Sequence, residues 1–344
     1  MLPPIMKKEL EKQGYRIVGQ HEHSAVKTCG WTKNMINGEG GCYKFKFYGI
    51  KSHQCMQMTT NMACANRCEF CWRDYKAPVS KEWNGGVDDP IELIDASLTA
   101  HKSLLYGFRG SQKANKVFTE QALKDVRHVA LSLTGEPITY PRINEMIQEF
   151  HSRKISTFLV TNAQYPEAIK NLAPVTQLYV SVDAPNKELL KEIDKPLFSD
   201  YWERFLKSLD YLKEKEGRTV IRLTLVKGKN MCDLEGYAAL ITRGDPDFIE
   251  VKAYMSVGAS QERLGREYVP AYDEVKAFGL ALVEHLPAYE YVSDHEPSQV
   301  ILLAKKSFGK KTWIDFDAFF RENNSPVCLE HHNHEQKTHL PVLS

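Results

Sequence analysis

The chain has 344 residues, 42% hydrophobic and 26% charged, with a formal net charge of +1. That balance is ordinary for a globular protein with a sizeable core, and no global charge excess advertises a nucleic-acid partner. No run is long and apolar enough to span a membrane, and the opening "MLPPIMKKELEKQGYR" lacks the apolar core of a secretory signal, so a cytoplasmic protein is expected.

In chain order, residues 1–54 show little periodicity and are rich in Gly and Cys ("KTCGWTKNMINGEGGCYKFKFYGIKSHQC", running on to Cys55). They read as an N-terminal extension. From Cys55, apolar β-branched runs alternate with amphipathic helical stretches. The strand-like runs are "CMQMTTNMA", "VRHVALSLTG", "STFLVTNA", "QLYVSVDA", "TVIRLTLVKG" and "FIEVKAYMSVG". Between and after them come "DPIELIDASLTAHKSLLYGF", "PRINEMIQEFHSRK", "KELLKEID", "YWERFLKSLDYLKEKEG", "LEGYAALITRG" and "YDEVKAFGLALVEHL". Six βα alternations with strands apolar on both faces predict an α/β domain over 55–287. A partial (β/α)6 barrel is the economical form and an open doubly wound sheet the alternative. Either collects ligands at the C-terminal strand ends. Residues 288–344 form a C-terminal extension. It holds an antiparallel pair, "AYEYVSDHE" and "SQVILLAKK", the aromatic "TWIDFDAFFRE" and a polar tail, "LEHHNHEQKTHLPVLS".

Eight cysteines in a cytoplasmic chain are expected as metal ligands rather than disulfides. Three of them, Cys64, Cys68 and Cys71, crowd into "MACANRCEFCW" with C-x3-C-x2-C spacing just after the first predicted strand. Thiolates suit zinc or iron–sulfur clusters, and a structural zinc site would want a fourth protein ligand. Three tight ligands instead leave one corner of a cubane free. The motif resembles that of the radical S-adenosylmethionine (SAM) enzymes. The resemblance implies that the three cysteines hold a [4Fe-4S] cluster and that the amino and carboxylate groups of SAM bind its fourth iron. A zinc knuckle closed by a distant residue is the bland alternative.

The same resemblance extends along the chain. Phe70 matches the aromatic position near the adenine. Thr134, Gly135 and Glu136 match a glycine–glycine–glutamate motif that holds the methionine amino group, with threonine replacing the first glycine. Asn162, Ser181 and Asp183 end predicted strands, where they are placed to hydrogen-bond the ribose and carboxylate of SAM. Each taken singly serves equally well as a helix cap or turn residue.

Cys29, Cys42 and Cys55 stand thirteen residues apart in and just after the leader. A lone buried cysteine is usually packing, but three in a polar, Gly-rich segment read as a second [4Fe-4S] site with an open iron. This arrangement resembles the tRNA 4-demethylwyosine synthases, in particular archaeal members without a flavodoxin domain. The resemblance implies that N1-methylguanosine, next to the anticodon of phenylalanine tRNA, and pyruvate become a tricyclic base. An adenosyl radical would take a hydrogen from the N1-methyl group, and the methylene radical would add to the pyruvate carbonyl. The pyruvate C1 would then leave as formate or carbon dioxide, and the base nitrogen would close the ring. The open iron of the second cluster could chelate the carboxylate and keto oxygens of pyruvate, or a lysine could form a Schiff base with it, or both. Lys44 matches the lysine assigned that role in the family, with Lys46 the substitute; without the resemblance, Lys44 would pass for a surface residue on an edge strand. An external electron donor and a monomeric enzyme are also expected.

The target nucleotide would be flipped from the anticodon loop, with the tRNA covering the barrel mouth. Lys305, Lys306, Lys310 and Lys311 are candidate phosphate contacts. Cys232 and Cys328 read as structural, and His331, His332, His334 and His339 as part of a solvated tail. Two rival readings are a radical SAM maturase or activase with a non-tRNA substrate and a non-enzymatic zinc-binding RNA adaptor.

Overall fold

All six predicted βα strands form, and they lie side by side in one sheet. The computed structural model describes residues 2–323. The leader folds as α1 (Pro4–Lys12), β1 (Tyr15–Val18), β2 (Ser24–Lys27), α2 (Gly30–Ile36) and α3 (Tyr43–Tyr48). The repeating part runs β3 (Cys55–Thr59), α4 (Pro90–Leu105), α5 (Lys116–Lys124), β4 (His128–Leu131), α6 (Ile143–Ser152), β5 (Ser156–Thr161), α7 (Pro166–Lys170) and β6 (Gln177–Ser181). It continues with α8 (Lys187–Asp194), α9 (Tyr201–Lys213), β7 (Thr219–Leu225), α10 (Leu234–Gly244), β8 (Phe248–Ala253) and α11 (Tyr272–Glu284). The chain then closes with β9 (Tyr289–His295), β10 (Val300–Lys305) and α12 (Phe316–Asn323). The tail, with Cys328 and its histidines, lies outside the described residues.

The strand order is β1-β2-β3-β4-β5-β6-β7-β8-β10-β9. Every ladder from β3 to β8 is parallel, and the flanking ladders are antiparallel. A doubly wound sheet reverses its order at a switch point. Here six parallel strands follow one another in sequence order, the winding of a barrel that stops short of closure. Short strands cap both edges, and the sheet runs through residues 54 and 287 by way of the β2–β3 and β8–β10 ladders. The leader thus contributes two strands that its sequence did not reveal. At four residues each they are too short to show a period.

Alternation along the strands sorts their side chains onto two faces. Met56, Leu131, Leu159, Val180, Ile221, Val251 and Ile301 pack outward against helical residues such as Leu93, Phe150, Phe205, Ile241 and Phe278. The opposite, inner face carries Phe158, Tyr179, Val220, Phe248 and Leu302, and α3 fills it with Tyr43, Phe47 and Tyr48. Among the described residues no helix is long and apolar enough to cross a membrane.

Candidate active site

The loop after β3 carries Cys64, Cys68 and Cys71 at the C-terminal edge of the parallel strands, where the sequence placed them. It is held by its own backbone carbonyls. Arg73 donates to the oxygens of Met62 (3.1 Å), Asn66 (3.0 Å) and Pro78 (2.9 Å). Arg263 donates to those of Glu69 (3.0 Å), Arg73 (3.2 Å) and Cys71. The N–H groups of Arg67 and Glu69 bond the last carbonyls of α8, at Asp194 and Ile193. Gly135 lies under the start of this loop with φ +67°, and a Cβ there would stand 1.9 Å from the Asn61 carbonyl.

The thiols are partly buried and in one another's field. Burial pushes the Cys64 thiol up to about 12 and Cys68 well above its ordinary range, the latter helped by the charges of Asp194, Cys71 and Cys64. Such thiols ionise when a cation compensates them, which an iron cluster does. Asn162 Nδ2 and the Asn66 N–H each donate to Cys64 Sγ at 3.4 Å.

Glu136 is buried and accepts the Asn162 N–H on Oε2 at 2.9 Å, and its Oε1 forms no hydrogen bond among the described residues. Burial raises its carboxyl to about 7 against the opposing backbone and hydroxyl donors. A buried carboxylate oxygen in the field of the Cys64 thiol suits the ammonium of a methionine moiety, so the donor set fits the cluster and cofactor of the SAM resemblance. Asp183 is buried and accepts the Thr224 N–H at 3.2 Å; burial lifts it to about 6, with Arg222 and Thr224 opposing. Phe70 packs beneath Tyr254, Val226 and Leu264 at the ends of β7 and β8. Thr134 and Ser181 are partly buried and form no side-chain hydrogen bond among the described residues.

Sequence reasoning missed Asp194. It ends α8 as an unremarkable helix-terminal acid, yet it is buried, accepts Asn66 Nδ2 at 3.4 Å and engages the Cys68 thiol. Only the packing of α8 against the loop brings it there.

The second trio also assembles. Cys29 caps α2, Cys42 caps α3 and Cys55 opens β3. Burial raises Cys29 and Cys55, and each lies in the field of Cys42 and of Lys44. Ser52 Oγ donates to Cys42 Sγ at 3.2 Å and accepts the Cys42 N–H at 3.0 Å. Lys44 is 9% exposed on helix α3, not on an edge strand. Its Nζ faces the rings of Tyr179 (4.6 Å), Phe158 (5.3 Å) and Tyr43 (6.0 Å), and it forms no ion pair among the described residues. Burial lowers its pKa, opposed by Glu250 and the nearby thiols. Lys46 is exposed and paired with Asp294 at 3.4 Å. Neither trio converges on a point where a single ion would sit, and no other three His, Cys, Asp or Glu among the described residues do. A cubane spreads its ligands over three irons and requires no such convergence.

Two expectations change. Lys305 is committed to Asp245, by an ion pair at 3.1 Å and a bond to its carbonyl at 2.9 Å. Because β10 runs antiparallel to β8, Lys305, Lys306, Lys310 and Lys311 follow the N-terminal end of β8, opposite the cysteine loop. Cys232 is exposed two residues ahead of α10 and fills no core.

A six-stranded parallel array with three cysteines at its C-terminal edge defines a radical SAM α/β fold, and the model of the radical SAM superfamily matches residues 58–241. A second model, wyosine base formation, matches residues 243–305. A solved structure of TYW1 with a lysine–pyruvate adduct bound is 36% identical, with TM-score 0.79 over 92% of this chain and 99% of that one. The crystal structure of archaeal TYW1 is 34% identical, with TM-score 0.73 over 89% and 98%. The chain belongs to the TYW1 family of tRNA 4-demethylwyosine synthases. The S-adenosyl-L-methionine-dependent tRNA 4-demethylwyosine synthase of Oryza sativa subsp. japonica is 51% identical and that of Homo sapiens 48%, each over 93% of this chain but 50% and 44% of their own lengths. The chain spans about half the length of the curated relatives it matches. Identities run higher to the plant and human chains than to the archaeal one, so they give the expected archaeal affinity no support.

Proposed function

We propose that the chain joins N1-methylguanosine of phenylalanine tRNA to two carbons of pyruvate, forming 4-demethylwyosine. The observation that carries this reading is Lys44: a buried amine with no ion pair among the described residues, on the inner face among Cys29, Cys42 and Cys55. The lysine–pyruvate adduct named for the 36%-identical relative supports the assignment of that amine. An external one-electron donor and a second [4Fe-4S] cluster, held by Cys29, Cys42 and Cys55, complete the proposal.

When bound, SAM on a reduced [4Fe-4S] cluster supplies a 5′-deoxyadenosyl radical able to take hydrogen from a methyl group. Cys64, Cys68 and Cys71 would hold three of the irons. Glu136 Oε1 would accept the methionine ammonium, and Asn162 and Asp183 would orient the remainder. Lys44 would add through its nitrogen to the ketone carbon of pyruvate, forming a C–N bond while the ketone oxygen leaves as water. The rings of Tyr43, Phe158 and Tyr179 keep water from that bond. Cys55 and the C-terminal end of β3 stand about 13 Å apart at the usual rise per residue, which separates the two trios along one strand.

The test is to incubate anaerobically reconstituted, reduced protein with SAM, pyruvate and tRNA carrying N1-methylguanosine, then digest the tRNA and weigh the nucleoside. A pyruvate-dependent shift to the tricyclic base establishes the reaction. An unchanged nucleoside alongside 5′-deoxyadenosine rejects the tRNA substrate while retaining the radical core.

A further inference from the structure

The inner face carries a second cation without a partner. Arg222 on β7 stands in register with Ser181 of β6 and Glu250 of β8, so the three side chains share one face. A guanidinium one strand away from a carboxylate ordinarily closes a bidentate pair. Here it does not. The Arg222 side chain forms no hydrogen bond or ion pair among the described residues, and its Nε is buried without an acceptor. Glu250 accepts the Tyr48 hydroxyl on Oε1 at 2.9 Å, the Tyr43 hydroxyl also lies at its carboxylate, and neither oxygen bonds Arg222. Asp183, the other carboxylate whose charge Arg222 feels, is bonded to the Thr224 N–H.

Lys44 lies in the field of both Arg222 and Glu250. The inner face therefore gathers two cations that form no ion pair among the described residues around one carboxylate held by Tyr48 and Tyr43. Buried charge of that kind is costly unless a ligand of opposite sign completes it. The guanidinium is always charged and offers a planar fork shaped for a carboxylate.

We propose that Arg222 holds the carboxylate of the small 2-oxo acid whose ketone meets the Lys44 amine, and so restricts the pocket to 2-oxo acids over neutral ketones. This rests on the Lys44 reading above. In the step concerned, the lysine ammonium and the ketone become a protonated imine and one water, with charge conserved. Arg222 takes no proton and acts by positioning the acid.

The experiment traps the imine with cyanoborohydride and weighs the chain, using pyruvate and, separately, its neutral methyl ester, with the adduct mapped to Lys44. Wild-type protein should trap pyruvate at much lower concentration than the ester. In Arg222→Met the pyruvate concentration for half-trapping should rise about tenfold or more, as loss of a charge-assisted carboxylate contact implies, while the ester is trapped as before. The ratio of the two is the readout, because general damage would move both together. Arg222→Gln keeps a hydrogen-bonding head without charge and serves if the methionine variant does not fold. An unchanged ratio in the variants overturns the proposal. So does a weakened affinity for SAM, read by equilibrium dialysis, with pyruvate trapping intact, since Arg222 would then serve the methionine carboxylate. If wild-type protein traps neither compound, the Lys44 reading falls and this proposal with it, an outcome distinct from failure of Arg222 alone.

Discussion

Gly135→Ala should be among the most damaging single-methyl changes in the chain. At φ +67° an L-residue pays about 1–2 kcal/mol to adopt the left-handed region. The added Cβ would also stand 1.9 Å from the Asn61 carbonyl oxygen and 2.7 Å from the Met62 carbonyl carbon. Those are backbone atoms, and they cannot swing aside as a side chain would. The Thr59 hydroxyl donates to the Asn61 oxygen at 2.9 Å, the Met62 N–H bonds the His23 carbonyl at 3.1 Å, and Arg73 holds the Met62 oxygen. Overpacking of this kind adds about 1–3 kcal/mol, for a total of roughly 2–5 kcal/mol. Gly38→Ala is the control, because its φ of +76° carries similar backbone strain with nothing within 4 Å of the new Cβ. The gain from restricting the unfolded chain is the same in both and cancels. Urea unfolding of the two variants should place Gly135→Ala at least about 1 kcal/mol below Gly38→Ala, with less iron taken up on reconstitution because Asn61 and Met62 lead into Cys64. Equal destabilisation of the two would refute the steric argument.

Glu136 titrates near 7 in the fold against 4.5 for the free side chain, so the native state keeps a proton that the unfolded chain releases. Apo stability should therefore fall as pH rises from about 4.5 to 7 and level off above, by at most about 3 kcal/mol. Glu136→Gln should lack that fall, and parallel pH profiles for the two proteins would reject the assignment. Tyr48→Phe removes the hydroxyl that donates to Glu250 Oε1 at 2.9 Å and should cost about 1–3 kcal/mol, so a melting temperature equal to the parent's would count against it. Cys42→Ala should lower iron from about eight to about four per chain while keeping SAM cleavage, whereas Cys68→Ala should lose the same amount together with cleavage. Loss of cleavage in Cys42→Ala would show that the two trios do not divide the work as proposed.

Much of this architecture is written locally. The run "TVIRLTLVKG" alternates its faces within a few residues, and "LEGYAALITRG" repeats at helical spacing, so β7 and α10 appear where the pattern puts them. The C-x3-C-x2-C loop is likewise a short-range signal, because its ligands are neighbours in sequence and its chemistry depends on their spacing. Glu136, Asn162 and Asp183 were legible as polar residues at strand ends.

Other features depend on partners far along the chain. β1 and β2 are too short to carry a period and exist because β3 offers them an edge. Lys44 looks like a surface lysine until α3 lays it against Phe158 and Tyr179. The lysines at 305–311 looked like a basic rim until the antiparallel return of β10 carried them to the far end of the sheet. Arg222 is one charged residue in an apolar strand; only the β6–β7–β8 register shows that it faces inward beside a carboxylate it does not bond. The sequence by itself determined the βα order, the helices and the first cysteine loop, because these follow from periodicity and nearest-neighbour spacing. The tertiary structure alone decided which charges lie buried and unpaired on the inner face, because burial is set by residues more than a hundred positions apart.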